Sequence, residues 1–168
     1  MSDLSRHLPL SNRERVDESA VTGDWREAMA DAVLSAAPLI TSPDDEARFL
    51  ADAGLDGALP LADAAARIRA GRRRRIRSLV DATRALLVLA GDRSVNLPAT
   101  TSGAVALYAV TRMPFERRAA VSGATLVAED AGWSLGRGPA RSAPARDILA
   151  FVLGLSDTVP GTPSRREL

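Results

Sequence analysis

Apolar and polar positions divide the chain into a helical first two-thirds and a shorter, strand-bearing last third. Trp25, Met29, Val33 and Ala36 recur at helical spacing. Asp24 stands before them as an N-cap with Glu27 three residues on, the pattern of a capping box, and this first helix is expected to stop near Pro38. Ser42-Pro43-Asp44-Asp45-Glu46 is a second start signal. Serine caps, proline suits the first helical position, and carboxylates in the first turn complement the helix dipole. Phe49, Leu50 and Ala53 form the buried face of that helix, and Gly54 ends it. Residues 61–90 read as one long helix or two consecutive ones. Ile68, Ile76, Leu79, Val80, Thr83, Leu86 and Leu87 lie on one stripe, Gly71 is the candidate break, and Gly91-Asp92 closes the run.

An extended stretch through Val95 and Leu97-Pro98 follows, after which Thr101 or Ser102 is expected to cap a helix carrying Val105, Leu107, Tyr108 and Val110 and ending before Pro114. The pattern then changes. Residues 121–128 are β-rich, residues 129–132 have turn composition, and residues 133–138 return as a second strand, which predicts a hairpin. Ser142-Ala143-Pro144 opens a last helix with Ile148, Leu149, Phe151, Val152 and Leu153, stopping at Gly154. The expected fold class is α+β and predominantly helical, with a helical N-terminal part followed by a β-hairpin and a C-terminal helix. Residues 1–23 are polar and are expected to form a disordered tail, residues 24–155 one compact domain, and residues 156–168 a second disordered tail.

The chain has 168 residues, of which 46% are hydrophobic and 26% charged, a globular composition that argues against wholesale disorder. Lysine is absent, so all 22 basic residues are arginine, set against 21 acidic ones for a formal charge of +1; net charge therefore selects no particular partner. The arginine bias, the alanine richness and the 4% aromatic content resemble high-GC coding, as in many actinobacteria. Cysteine is absent, which removes disulfides, thiolate nucleophiles and thiolate metal sites. The only histidine is His7, in the expected N-terminal tail, so no metal site and no cofactor are expected. Residues 1–7 show no basic segment leading into an apolar one, and no run approaches the roughly 20 apolar residues of a membrane span. The expectation is a cytoplasmic protein with no membrane partner.

The segments Gly123-Ala124-Thr125-Leu126-Val127-Ala128-Glu129-Asp130-Ala131-Gly132-Trp133-Ser134, Gly136-Arg137-Gly138-Pro139 and Ala143-Pro144-Ala145-Arg146-Asp147-Ile148-Leu149 resemble the C-terminal subdomain of mycothiol-dependent maleylpyruvate isomerase-like proteins. The resemblance covers about residues 115–155. It implies an N-terminal DinB-like four-helix bundle, which in that family binds a divalent metal through histidines, joined to this C-terminal α/β part and acting on thiol-linked small molecules. With His7 as its one histidine, this chain has no counterpart to those ligands, so the resemblance implies fold and transfers no catalytic residue.

The remaining candidate chemistry is weighed against simpler roles. Arg72-Arg73-Arg74-Arg75-Ile76-Arg77 suits phosphate neutralisation on DNA or RNA, but on a helix these arginines spread around the circumference, neighbouring acids offset their charge, and no aromatic is interleaved for stacking. Gly132, Gly136 and Gly138 do not form G-x-G-x-x-G, and read as turn and bulge glycines. Glu129 and Asp130 are adjacent carboxylates whose strand neighbours point to opposite faces, which favours a turn role over acid/base work. Hydroxyls, Tyr108 included, have no histidine or lysine base. Trp25 and Trp133 sit on apolar patterns as packing groups.

The favoured expectation is a non-catalytic cytosolic binding or interaction protein that uses the hairpin and its flanking helices, with Arg112, Arg117, Arg118, Trp133 and Arg137 as ligand-binding candidates, to hold a protein partner or a small anionic molecule. An enzyme working through arginines and carboxylates is the first alternative. Nucleic-acid binding through Arg72, Arg73, Arg74, Arg75 and Arg77 is the second.

Overall fold

A computed structural model describes residues 23–161; the expectations that concern residues 1–22, His7 among them, and 162–168 lie outside the described residues. In chain order the elements are α1 (Arg26–Leu34), α2 (Pro43–Asp52), α3 (Leu61–Ala70), α4 (Ile76–Ala90), α5 (Ala99–Val110), α6 (Phe115–Val121), β1 (Thr125–Ala128), β2 (Trp133–Gly136), β3 (Ala140–Ala143) and α7 (Ala145–Val152). The class is α+β and mainly helical, with a C-terminal helix after the strands. No helix among the described residues is long and apolar enough to cross a membrane.

Local chemistry explains most boundaries. Ser42 caps α2 as expected: its Oγ accepts the Asp45 N–H at 3.1 Å, Pro43 is the first helical residue, and Asp44, Asp45 and Glu46 fill the first turn. Residues 61–90 resolve into two helices because residues 71–75 leave helical geometry after Gly71, the residue with the least to hold it there. The other interior starts follow prolines. Pro60, Pro98, Pro114 and Pro144 stand immediately before α3, α5, α6 and α7, each with φ between −51° and −59° and ψ between 143° and 150°. The ring fixes φ and needs no hydrogen-bond donor, so proline makes a ready entry into a first turn.

Three expectations are corrected here. Asp24 and Glu27 do not form a capping box: α1 begins one residue later, Asp24 accepts the N–H of Arg26 at 3.3 Å, and Glu27 pairs instead with the guanidinium of Arg69 on α3 at 3.0 Å. Thr101 and Ser102 do not cap α5 but lie buried inside its first turn, because Pro98 had already started it. Pro114 ends one helix and also begins another, so residues 115–121 are α6 and the strand is confined to Thr125–Ala128.

The hairpin forms as expected, β1 against β2 antiparallel, with Leu126 opposite Leu135 and Ala128 opposite Trp133. A third strand joins it. β3 runs parallel to β1 on its other edge, giving the order β2-β1-β3, so Ser142 and Ala143 belong to a strand and α7 starts only after Pro144. Residues 137–139 carry the chain from one edge to the other past the start of β1. Gly138, at φ 126°, makes that passage possible: a Cβ there would lie 2.0 Å from the Gly123 carbonyl oxygen.

The core is one cluster. α1 packs on α3 and α4, α2 on α4, α4 on α5 and α7, and α5 on α7 and β2, burying Met29, Phe49, Leu50, Ile68, Leu79, Leu86, Val105, Ile148 and Phe151. The body continues past residue 155, since Pro160 is buried and Leu155 and Val159 pack on the core.

Several helix ends are finished by side chains from elsewhere in the chain. Glu46 of α2 accepts the N–H of Leu61 at the start of α3, and Asp130 in the hairpin turn accepts the N–H of Ala145 at the start of α7 at 2.7 Å. At the opposite ends arginines donate to the last carbonyls: Arg26 to Arg69 and Gly71 after α3, Arg146 to Gly91 and Asp92 after α4, Arg118 to Thr111 and Met113 after α5, and Arg117 to Phe151 and Ser156 after α7. The carboxylates stand at helix starts and the guanidiniums at or just past helix ends, where the helix dipole favours each charge, and both meet backbone groups at the termini.

Candidate anion-binding site

That capping accounts for part of the expected ligand set. Arg117 also pairs with Asp157 and lies 5.5 Å from the Phe151 ring centroid, so its guanidinium is committed to the body. Arg118 is held by two carbonyls. Arg112 stacks over Tyr108 at 3.9 Å from the ring centroid, an exposed cation–π contact. Trp133 donates its indole N–H to Ser102 and rests on Gly103. Arg137 is exposed and points no hydrogen bond at a described residue. Of these residues the structure brings together Arg118 and Arg137, which border a hollow of about 220 Å³ with Met113, Leu126 and Leu135; Arg112, Arg117 and Trp133 lie outside it.

A larger hollow, about 710 Å³, lies elsewhere, between α4, α7 and residues 155–161. Leu87, Val88, Ala150 and Leu155 line it together with Asp92, Arg146 and Asp147, and Arg146 is already donating to the end of α4. Glu129 and Asp130 do not converge on a site, since Asp130 caps α7. Among the described residues no group of three or more acidic or histidine side chains gathers as metal ligands.

The arginine run is the remaining concentration of chemistry, and its placement corrects the expectation of an arginine helix. Arg72, Arg73, Arg74 and Arg75 form the link between α3 and α4, and only Arg77 is on a helix. The link is anchored at one point. Arg74 donates its backbone N–H to Asp24 Oδ1 at 3.3 Å, and its carbonyl accepts the N–H of Trp25 at 3.2 Å. Asp24 is itself held by Arg26, whose Nε donates to it at 2.6 Å; this bond, with the Arg74 and Arg26 N–H groups, keeps the Asp24 carboxyl below its ordinary pKa despite some desolvation. Nearby acids are consumed in the same way. Glu27 and Asp31 both pair with Arg69, whose own pKa they raise.

What is left is a corner of unmatched guanidiniums. Arg67, Arg72, Arg73, Arg74, Arg75 and Arg77 make no ion pair and no side-chain hydrogen bond with any described residue. Arg67 was not singled out from the sequence. The signal that finds it is the density of arginines from 67 to 77 once Arg69 is subtracted as neutralised. Arg67 and Arg74 meet at a hollow of about 230 Å³ bordered by Gly54, Leu55, Asp56, Leu59, Ala64 and Ile68. Nε of Arg74 is itself buried and has no acceptor. The geometry can attract and orient an anion through forked N–H donors. Comparison of the chain with family models, with curated proteins and with solved structures gives no match in any of the three.

Proposed function

We propose that the chain is a non-catalytic binding protein that holds a phosphate-bearing anionic partner at the arginine corner between α3 and α4. The observation that carries this reading is the unpaired state of Arg67, Arg72–75 and Arg77 beside Arg26 and Arg69, which are paired. Like charges held this close repel one another, and an anionic ligand removes that repulsion while releasing its own counterions. The separation of the link from α4 supports the reading further, because Arg72, Arg73 and Arg75 are exposed on non-helical backbone that can follow a ligand's contour. The hairpin reading keeps Arg112 and Arg137 as outward cations, but Arg117 and Arg118 serve the fold.

The test is fluorescence anisotropy with a labelled single-stranded oligonucleotide and with labelled inorganic polyphosphate, across a salt series. Wild-type protein is expected to bind both at low ionic strength, with log K falling linearly in log salt. Joint replacement of Arg72, Arg73, Arg75 and Arg77 by alanine is expected to flatten that slope by about 3 to 4, near one per lost phosphate contact. Absence of binding to either polyanion at low salt, or an unchanged slope in the variant, overturns the reading.

A further inference from the structure

We propose that the hollow shared by Arg67 and Arg74 seats a single protonated phosphate group, its unprotonated oxygens on the two guanidiniums and its P–OH on the carboxylate of Asp56. This rests on the reading of the corner as a phosphate site and narrows it to one pocket and one chemical form. Arg74 Nε is a cationic donor removed from water with no acceptor. Arg67 and Arg74 both line the hollow and neither guanidinium has a partner among the described residues, so an anion seated there is the first acceptor that the pair meets. The Arg74 backbone is clamped by Asp24 and Trp25, so the point from which its side chain reaches the hollow is fixed before any ligand arrives.

Size and charge select the ligand. At about 230 Å³ the hollow is smaller than the roughly 300–1,000 Å³ typical of whole-ligand sites, so it fits one group at the end of a molecule. Asp56 shares the hollow, its Oδ1 already accepting the N–H of Ala58 at 3.1 Å. A carboxylate beside an anion repels it unless the anion brings a proton to donate. Phosphate and its monoesters, with a second pKa near 6, carry such a proton in part at neutral pH. Sulfate and phosphodiesters carry none. The hollow is therefore built to choose phosphate over sulfate, and a phosphorylated end over the middle of a polynucleotide.

The experiment titrates the full chain with inorganic phosphate and, separately, with sulfate at equal ionic strength, followed calorimetrically. Phosphate is expected to bind about tenfold more tightly than sulfate, and Arg67→Gln and Arg74→Gln each to weaken phosphate about tenfold, the loss of one charge-assisted contact. Asp56→Asn is expected to close the gap between the two anions. Arg84→Ala, at an exposed arginine of α4 outside the corner, is expected to keep phosphate affinity within about twofold of wild type. Arg67 is exposed, so Arg67→Gln reports without disturbing the core even if Arg74→Gln lowers stability. Equal affinity for sulfate and phosphate overturns the proposal, as does an unaltered Arg67→Gln. Oligonucleotide binding without phosphate binding sinks this inference and leaves the polyanion reading standing; loss of both sinks both.

Discussion

The indole N–H of Trp133 donates to the hydroxyl oxygen of Ser102 at 2.9 Å, joining the edge strand β2 to the first turn of α5. Ser102 is buried and in turn donates to the carbonyls of Pro98 and Ala99, both 3.2 Å away. A tryptophan and a serine that local pattern assigns to packing and to a cap thus form one polar link between sheet and helix.

Trp133→Phe keeps an aromatic ring on Gly103 and removes that link. The expected loss is about 1 kcal/mol, read as a fall of roughly 2–4 °C in Tm for a chain of this size. An unchanged Tm would show that the contact contributes nothing net.

Asp130→Ala removes the carboxylate that accepts the Ala145 N–H. The start of α7 has no cap of its own, since Pro144 offers no side-chain acceptor. Urea unfolding should give a stability lower by about 1 kcal/mol, the usual cost of losing an N-cap. Glu129→Ala, one residue away on an exposed side chain, should leave the midpoint in place.

Thr83 is fully buried on α4 and its Oγ1 has no hydrogen-bond partner among the described residues. Replacing it with valine substitutes a methyl for an unmet hydroxyl. Stability should rise by about 1 kcal/mol, with the midpoint of denaturation moving up and the slope unchanged. A destabilised Thr83→Val would mean that the hydroxyl is satisfied in solution.

Acid should weaken the fold through Asp24 and Asp45. Hydrogen bonds from Arg26 to the first, and from the Thr41 hydroxyl and then Ser42 to the second, place both carboxyl pKa values below the ordinary 3.8. A folded pKa below the unfolded one adds stability that is present above pH 3.8 and disappears as pH falls through the lower folded value. Asp24→Asn and Asp45→Asn should therefore differ from wild type at neutral pH and converge with it as pH falls through the lowered folded value of each carboxyl. Parallel stability curves down to the lowest pH would contradict the assignment.

Much of the fold was legible because its cues are local. Ser42 and Pro43 start α2, Gly91 ends α4 with φ 56°, and the apolar alternation of Leu126 and Ala128 marks the central strand. What escaped depends on partners far along the chain. β3 carries Arg141 and Ser142 rather than an apolar run, and is a strand because β1 offers it an edge. α6 buries none of its residues and leaves Phe115 81% exposed, so no helical stripe announces it. The candidate site was half visible. The arginine run stands out in the sequence, but only the pairing of Glu27 and Asp31 with Arg69 reveals which of its charges remain unmatched.

Arg26 reaches carbonyls 43 and 45 residues away, and Arg146 reaches one 55 residues away. An excised peptide spanning α3 or α4 would lack the donors that close it, and short helices are marginal in water without tertiary support. Melting of this chain is thus expected to be concerted, with few segments able to persist once their neighbours have let go.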